Sequence, residues 1–267
     1  MIDSGKSAEI QANGREIAQA KSGIFAAVLI IGDEILSGRT QDKNLGWLAE
    51  YLAPLGIEIR EARVVADIQS AIIAAVNELR ARYTYVFTTG GIGPTPDDIT
   101  AEAIAAAFGI AYGFHPEAKK ILEAHYGAEA NEARMRMAKM PVTARLIDNP
   151  VSRAPGFYVE NVFVLAGVPK IMQAMMMSLD GILARGQVRQ SISFLIDLPE
   201  SKAAPFMTAT AEKFPDVSIG SYPKMLDGGG YENTLVLRGY DAAELEGAKA
   251  FLQDQLRVIG GEIYLAR

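Results

Sequence analysis

Between Phe25 and Phe108 the chain alternates three short apolar runs with three longer stretches whose apolar residues recur at helical spacing, and this alternation restricts the fold most. Phe25 to Ile31 reads as a buried strand ending at Gly32, and Leu45, Leu48, Ala49, Leu52 and Leu55 then mark a helix that Gly56 stops. Ile57 to Val65 reads as a second strand and Ile72, Ile73, Val76 and Leu79 as a second helical stripe. Tyr85 to Thr89 is the third strand, and an Ala-rich helix is expected from Asp98 to Phe108. Strand and helix in strict succession require crossover connections, which come almost always in one hand and build a mostly parallel sheet with helices on both faces. The expected architecture is a three-layer α/β/α domain.

Beyond it, Pro116 to Ala138 reads as helical, Arg145 to Asp148 and Phe157 to Leu165 as short strands, and Lys170 to Leu183 as a helix whose methionines fill a core. The segment Ala184 to Gln190 marks a boundary. After it come a strand (Ser191 to Leu198), a helix (Ala203 to Phe214), strands at Val217 to Tyr222 and Thr234 to Gly239, a helix (Ala242 to Val258) and a last strand (Glu262 to Leu265). This β-α-β-β-α-β order is that of a small ferredoxin-like, split-βαβ α+β domain, with Asp227 to Gly230 as its hairpin tip. The expected division is a polar extension over 1–23, an α/β domain over 24–184 and the small domain over 190–267.

Composition narrows the chemistry. With no cysteine, the chain has no disulfide, thiolate nucleophile or cysteine-held metal, so a metal would need oxygen ligands, alone or with one of two histidines. Neither histidine stands in a ligand spacing, and no Gly-x-Ser-x-Gly elbow accompanies the hydroxyls. A net charge of -6 argues against a nucleic-acid surface. Met1 to Ser22 mixes charged residues throughout, unlike a secretory signal, and Ile24 to Ile31 is far shorter than the roughly 20 residues that cross a bilayer. The expectation is a cytoplasmic protein without membrane or nucleic-acid partners and with a possible homo-oligomeric state.

In an open parallel sheet a ligand lies beyond the carboxyl ends of the strands. Three loops leave strands there, each with small residues followed by acid: Gly32, Asp33 and Glu34 after the first; Asp67 after the second; and Thr89 to Thr100 after the third. In the third loop Gly90, Gly91 and Gly93 allow close approach to an anion, Pro94 and Pro96 stiffen the turn, and the following helix offers its positive end. The pattern has neither the Gly-Lys-Ser/Thr of a Walker loop nor the third glycine of a dinucleotide fingerprint, so kinase and dehydrogenase readings fail. Asp97 and Asp98 are either a helix N-cap or a site for a divalent cation, which favours such oxygen ligands. Asp67 has the same alternative as the cap of the next helix, and Asp33 and Glu34 have one as turn residues.

The string Gly32-Asp-Glu-Ile-Leu-Ser-Gly38 with Gln41, Asp42 and Asn44, then Thr89-Gly-Gly-Ile-Gly-Pro-Thr-Pro-Asp-Asp-Ile-Thr100, Asn149-Pro-Val, Ala154-Pro-Gly156 and Gly167-Val-Pro169, resembles the CinA family with its molybdopterin-binding, MoaB/MogA-like domain. The first string is also similar to the amino-terminal domain of eukaryotic FAD synthases. The resemblance implies a phosphorylated pterin or nucleotide at the sheet edge, held by Gly32, Asp33, Glu34, Asn44, Thr89, Gly90, Gly91, Gly93, Pro94, Thr95 and Thr100. It further implies hydrolysis of a diphosphate bond, as in ADP-ribose or FAD, with a divalent metal (magnesium, cobalt or manganese) and potassium.

The family's two critical aspartates fall on Asp67 and Asp98, with Asp97 and Glu34 as further metal ligands. Arg153 stands where the family pattern has a small residue, so it is either a phosphate contact or a solvated loop charge. Neither the deamidase domain of longer members nor a FAD-synthesising domain is expected in this sequence. Two further readings stay open: a molybdopterin-binding protein without hydrolase activity, and a fold retained purely for interaction.

Overall fold

The computed structural model describes residues 23–225 and 231–265, so the amino-terminal extension over 1–22 and the hairpin tip Asp227 to Gly230 lie outside the described residues. The chain divides into two compact units between Gly186 and Gln187.

The first unit is built on β1 (Ile24–Ile31), a strand whose central residues Ala26 to Leu29 are completely buried, as an apolar run covered on both faces must be. A single helical turn, α1 (Asp33–Leu36), and the helix α2 (Asn44–Leu52) follow, and Gly56 (φ 70) turns the chain into β2 (Ile57–Val65). Next come α3 (Gln69–Arg82), β3 (Tyr85–Thr89) and α4 (Thr100–Phe108). An excursion of β4 (Tyr112–Phe114), α5 (Pro116–Tyr126), α6 (Glu132–Arg136) and β5 (Lys139–Pro141) then leaves the sheet, and β4 and β5 pair only with each other. The chain returns through β6 (Arg145–Ile147), β7 (Gly156–Val159), β8 (Val162–Leu165) and α7 (Pro169–Met177).

The six-stranded sheet has the order β2-β1-β3-β8-β7-β6. β2, β1, β3 and β8 run parallel, and β7 and β6 extend it antiparallel. One apolar core packs α3 and α4 against one face, with Leu29, Val86 and Val164. The other packs α2 and α7 against the opposite face, with Val28, Phe87 and Phe163. The alternation of neighbouring strand residues between the cores is the period-2 pattern of a sheet buried on both sides. The mostly parallel three-layer fold expected from the sequence is the fold observed.

Several expected boundaries are corrected. The helix expected from Asp98 begins at Thr100 with Ile99 at its N-cap and no side-chain cap, so neither Asp97 nor Asp98 caps it. The N-cap of α3 is Ile68, not Asp67. The stretch Pro116 to Ala138 breaks into α5 and α6 at Gly127, whose φ is 50. Phe157 to Leu165 is two strands, turned at Glu160 with φ 51. The last helix stops at Met177 rather than Leu183.

The second unit runs through β9 (Gln190–Ile196), α8 (Glu200–Lys213), β10 (Ser218–Met225), β11 (Tyr231–Gly239), α9 (Ala242–Val258) and β12 (Ile263–Leu265). Its antiparallel sheet has the order β10-β11-β9-β12, the split-βαβ arrangement. Phe194, Leu235, Leu237 and Leu252 lie in its core. Among the described residues no helix is long and apolar enough to cross a membrane.

Candidate functional site

The carboxyl ends of β1, β3 and β8 meet at Gly90. Its N–H donates to Leu165 O at 3.2 Å, and a Cβ built on it would lie 2.1 Å from Ile31 O, so no side chain fits between the three strands. Its φ of 104 adds a second reason for glycine. A Cβ at Gly167, beyond β8, would fall 3.2 Å from Gly90 Cα, and the Asn44 amide at the start of α2 donates to Gly167 O at 2.9 Å. Gly90 therefore holds the edge together, and its N–H is already spent on Leu165.

The groups left for a ligand come next in the chain. The N–H groups of Gly91, Ile92 and Gly93 have no partner among the described residues, and the first turn of α4 lacks a side-chain cap. Gly91 O accepts from Thr100 N at 3.0 Å, which clamps the glycine turn onto the positive end of α4. Among the described residues of this unit, four buried side-chain oxygens have no hydrogen-bond partner: Asn44 Oδ1, Thr88 Oγ1, Thr89 Oγ1 and Thr100 Oγ1. Leaving buried polar atoms unpaired costs about 1–3 kcal/mol each, and four at one sheet edge is the pattern of a site that a polar ligand completes.

The carboxylates separate into two places. Asp33 N–H donates to Asp67 Oδ2 at 2.9 Å and Asp67 N–H to Asp33 Oδ1 at 3.3 Å, a reciprocal clasp between the loops after β1 and β2. Glu34 folds back over Gly32, where a Cβ would lie 2.6 Å from Glu34 Oε2. Burial, followed by the charges of Asp33, Glu34 and Asp97, pushes the Asp67 carboxyl above its ordinary range, against the lowering effect of the Asp33 N–H bond. Asp98 stands apart, accepting from both the N–H and the hydroxyl of Thr95.

Pro94 and Thr95 are exposed at the turn. Among the described residues no three of His, Asp and Glu are placed to hold a metal ion.

Arg153 sits in the turn that Asn149 organises. Buried Asn149 donates to Ser152 Oγ and Ala154 O and accepts from Val151 N and Ser152 N. Arg153 takes a left-handed φ of 63, and its guanidinium is 3.8 Å from Asp148, an exposed pair rather than a member of the glycine turn. His115 caps α5, its Nδ1 accepting from Ala118 N while Nε2 donates to Ala144 O.

Beside Gly93 a small cleft, partly open to solvent, is lined by Asp98, Tyr112, Arg136, Lys139, Phe157 and their neighbours. The sequence reading missed Tyr112, Arg136 and Lys139. They belong to the β4–β5 excursion, and only tertiary packing brings them to Gly93.

An α/β sheet with a glycine turn at its carboxyl edge and split acidic loops around it is the architecture of a molybdopterin-binding domain. Residues 27–184 match the model of the probable molybdopterin binding domain, and residues 190–260 match that of the FAD synthase middle domain. The chain belongs to the molybdopterin-binding domain family, within its CinA-like group. It is 34% identical over 214 residues to a protein of Pyrobaculum calidifontis, covering 76% of this chain and 82% of that one. It is also 35% identical over 215 residues to a CinA-like protein of Citrifermentans bemidjiense, covering 72% of this chain and 52% of that protein. The crystal structure of the protein CinA, of unknown function, from Thermoplasma acidophilum superposes with a TM-score of 0.56 at 34% identity, over 60% of this chain and 99% of that one.

Proposed function

We propose that the first unit binds a phosphorylated pterin or nucleotide at the carboxyl edge of its sheet, with a phosphate over Gly91, Ile92 and Gly93 and the positive end of α4. The observation that carries this reading is the set of buried, unpartnered polar atoms at that edge, Thr100 Oγ1 among them, beside free backbone N–H groups. Residues of this kind suit molybdopterin, whose single phosphate needs donors and whose pterin ring needs polar edges.

The test is Thr100→Val. Removing an unpaired buried hydroxyl leaves stability unchanged or raises it by up to about 1 kcal/mol, whereas a ligand that uses the hydroxyl loses about tenfold in affinity. Calorimetric titration of a phosphorylated pterin, ADP-ribose and FAD reads the second effect. Unchanged binding of all three by the variant overturns this placement.

A second reading is hydrolysis of a diphosphate bond in ADP-ribose or FAD, with Asp98 and Asp67 as the working carboxylates. It is favoured by the burial that, with the charges of the neighbouring acids, raises Asp67 next to the edge loops. The family resemblance attaches a divalent cation and potassium to this activity. Because no three carboxylates converge, any cation would depend on the ligand's own phosphates for part of its shell. Product analysis by mass spectrometry with and without magnesium, cobalt or manganese tests it, and Asp98→Asn is expected to abolish turnover.

A further inference from the structure

We propose that the open face of the second unit's sheet is a self-association surface, on which a second copy of this chain packs face to face with β11 against β11 and the strands antiparallel.

The helices α8 and α9 pack on one face of that four-stranded sheet. Period-2 alternation sends Phe194, Leu235 and Leu237 into the core beneath them and turns Leu195, Thr234 and Val236, all half-buried, to the other face. The register carries this second face across all four strands, with Tyr222 beside Thr234 and Tyr264 beside Leu195. Both tyrosines are about half exposed, at 52% and 49%. The Tyr222 ring lies along β10 instead of standing off it. A Cβ built on Gly220 would meet that ring at 3.2 Å, and Arg238 Nη2 donates to the Tyr222 hydroxyl at 3.3 Å. A ring laid down in this way keeps the face flat, which suits a second sheet about 10 Å away.

Charge decides which occupant fits and how it lies. At one end of the face stand Arg238 and Arg189, joined through Ser218, which pairs with Arg238 and accepts from Arg189 at 2.6 Å. Asp241 is spent on the cap of α9, and Asp216, exposed before β10, is outnumbered by the two arginines. At the other end the register aligns Glu232 with Asp197 and Glu262, whose N–H donates to Asp197 Oδ1, and sets Lys224 alone against these three acids. A face with one sign at each end complements itself better than it complements a uniformly acidic or basic partner.

Glu232 and Arg238 lie on the same side of β11, about 20 Å apart at the usual strand rise. A two-fold axis crossing the strands at the level of Leu235 therefore sets Arg238 of each copy opposite Glu232 of the other. The same axis lays Val236 over Thr234 and Leu195 over the small Ser193, an isologous contact. Packing with parallel strands would instead bring the two acidic ends together. Four strands about 4.8 Å apart over about 20 Å offer roughly 400 Å² of flat area per copy, at the small end for a lasting complex, so the dimer is expected to be weak and reversible.

The experiment is sedimentation equilibrium of the full chain from about 5 µM to about 1 mM, spanning a Kd expected on the order of 100 µM. Val236→Lys, in the middle of the face, should weaken association at least about tenfold, whereas Val258→Lys, exposed at the end of α9, should leave it within about twofold. Arg238→Glu and Glu232→Arg should each weaken it by about tenfold or more, because like charges then face each other. An equimolar mixture of these two variants should associate as the unchanged protein does, since every facing pair in the mixed dimer is of opposite sign, and so should the chain carrying both substitutions. Far-UV circular dichroism melts establish that each variant is folded. A chain that stays monomeric throughout the range, a dimer indifferent to Val236→Lys, or charge variants that fail to rescue each other overturns the proposal.

Discussion

Gly90→Ala tests the reasoning about the sheet edge most directly. The new Cβ would stand 2.1 Å from Ile31 O, so strand ends fixed by hydrogen bonds must separate by about 1 Å to admit it. An L-residue at φ 104 adds about 1–2 kcal/mol of backbone strain, and forcing an extra methyl into packed surroundings adds about 1–3 kcal/mol, for a sum near 3 kcal/mol. Gly109, at the C-cap of α4 with φ 65, has nothing within 4 Å of a built Cβ, so Gly109→Ala bears the conformational cost alone, about 1 kcal/mol.

Trp47, the only tryptophan, stacks on Tyr51 at 4.9 Å in the first unit and reports its unfolding. With a urea slope of about 2 kcal/mol/M, the midpoint should fall by about 1.5 M for Gly90→Ala and about 0.5 M for Gly109→Ala. Displacing Gly90 also moves Gly91 and the N–H groups beyond it, so phosphate affinity should fall only in the first variant. Equal midpoints for the two variants, or a Gly90→Ala protein that keeps both stability and phosphate binding, would refute the argument.

Three other outcomes follow from the geometry. Arg153→Gly relieves a left-handed residue at the expense of one long, exposed ion pair, so its urea midpoint should rise by the equivalent of about 1 kcal/mol; a fall means that the Asp148 contact matters more than its geometry implies. Asn149→Ala removes four hydrogen bonds from a buried turn and should cost about 3 kcal/mol, measured the same way. Hydrogen bonds from Arg63 hold the Glu78 carboxyl down to about 2, from an ordinary 4.5, and the Tyr83 hydroxyl followed by Arg63 lowers Glu61. Carboxyls lowered in the fold stabilise above their unfolded values and lose that contribution as pH falls through their folded ones. Between pH 5 and 2 the unchanged protein should therefore lose more stability than Arg63→Met, and parallel urea-midpoint curves would count against this.

The sheet was legible because its evidence is local. Runs such as Ala26 to Leu29 are apolar on both faces, and glycines fall where strands end. The turn at Glu160 escaped notice because a glutamate at φ 51 carries no turn signal, so β7 and β8 read as one strand. The glycine turn was found as a position, but the division of labour within it was not. That Gly90 spends its N–H on Leu165 while Gly91 to Gly93 keep theirs depends on a strand far along the chain. Asp98 looked like a helix cap by spacing, yet Thr95 draws its carboxylate back into the loop. The cleft cations could not be read at all, since Arg136 and Lys139 lie in a segment whose sequence says only helix and turn.

The bond from Gly90 N–H to Leu165 O also fixes an order of events during synthesis. β3 is made long before β8, its partner on that side, and at roughly 5–20 residues per second the ribosome needs about 4–15 s to travel from Gly90 to Leu165. Throughout that interval one edge of β3 has no strand to pair with, although β1, β2 and their helices have already emerged. The nascent chain therefore carries an open strand edge, destined for burial, and an unclosed glycine turn, a state in which chaperone capture competes with premature edge pairing.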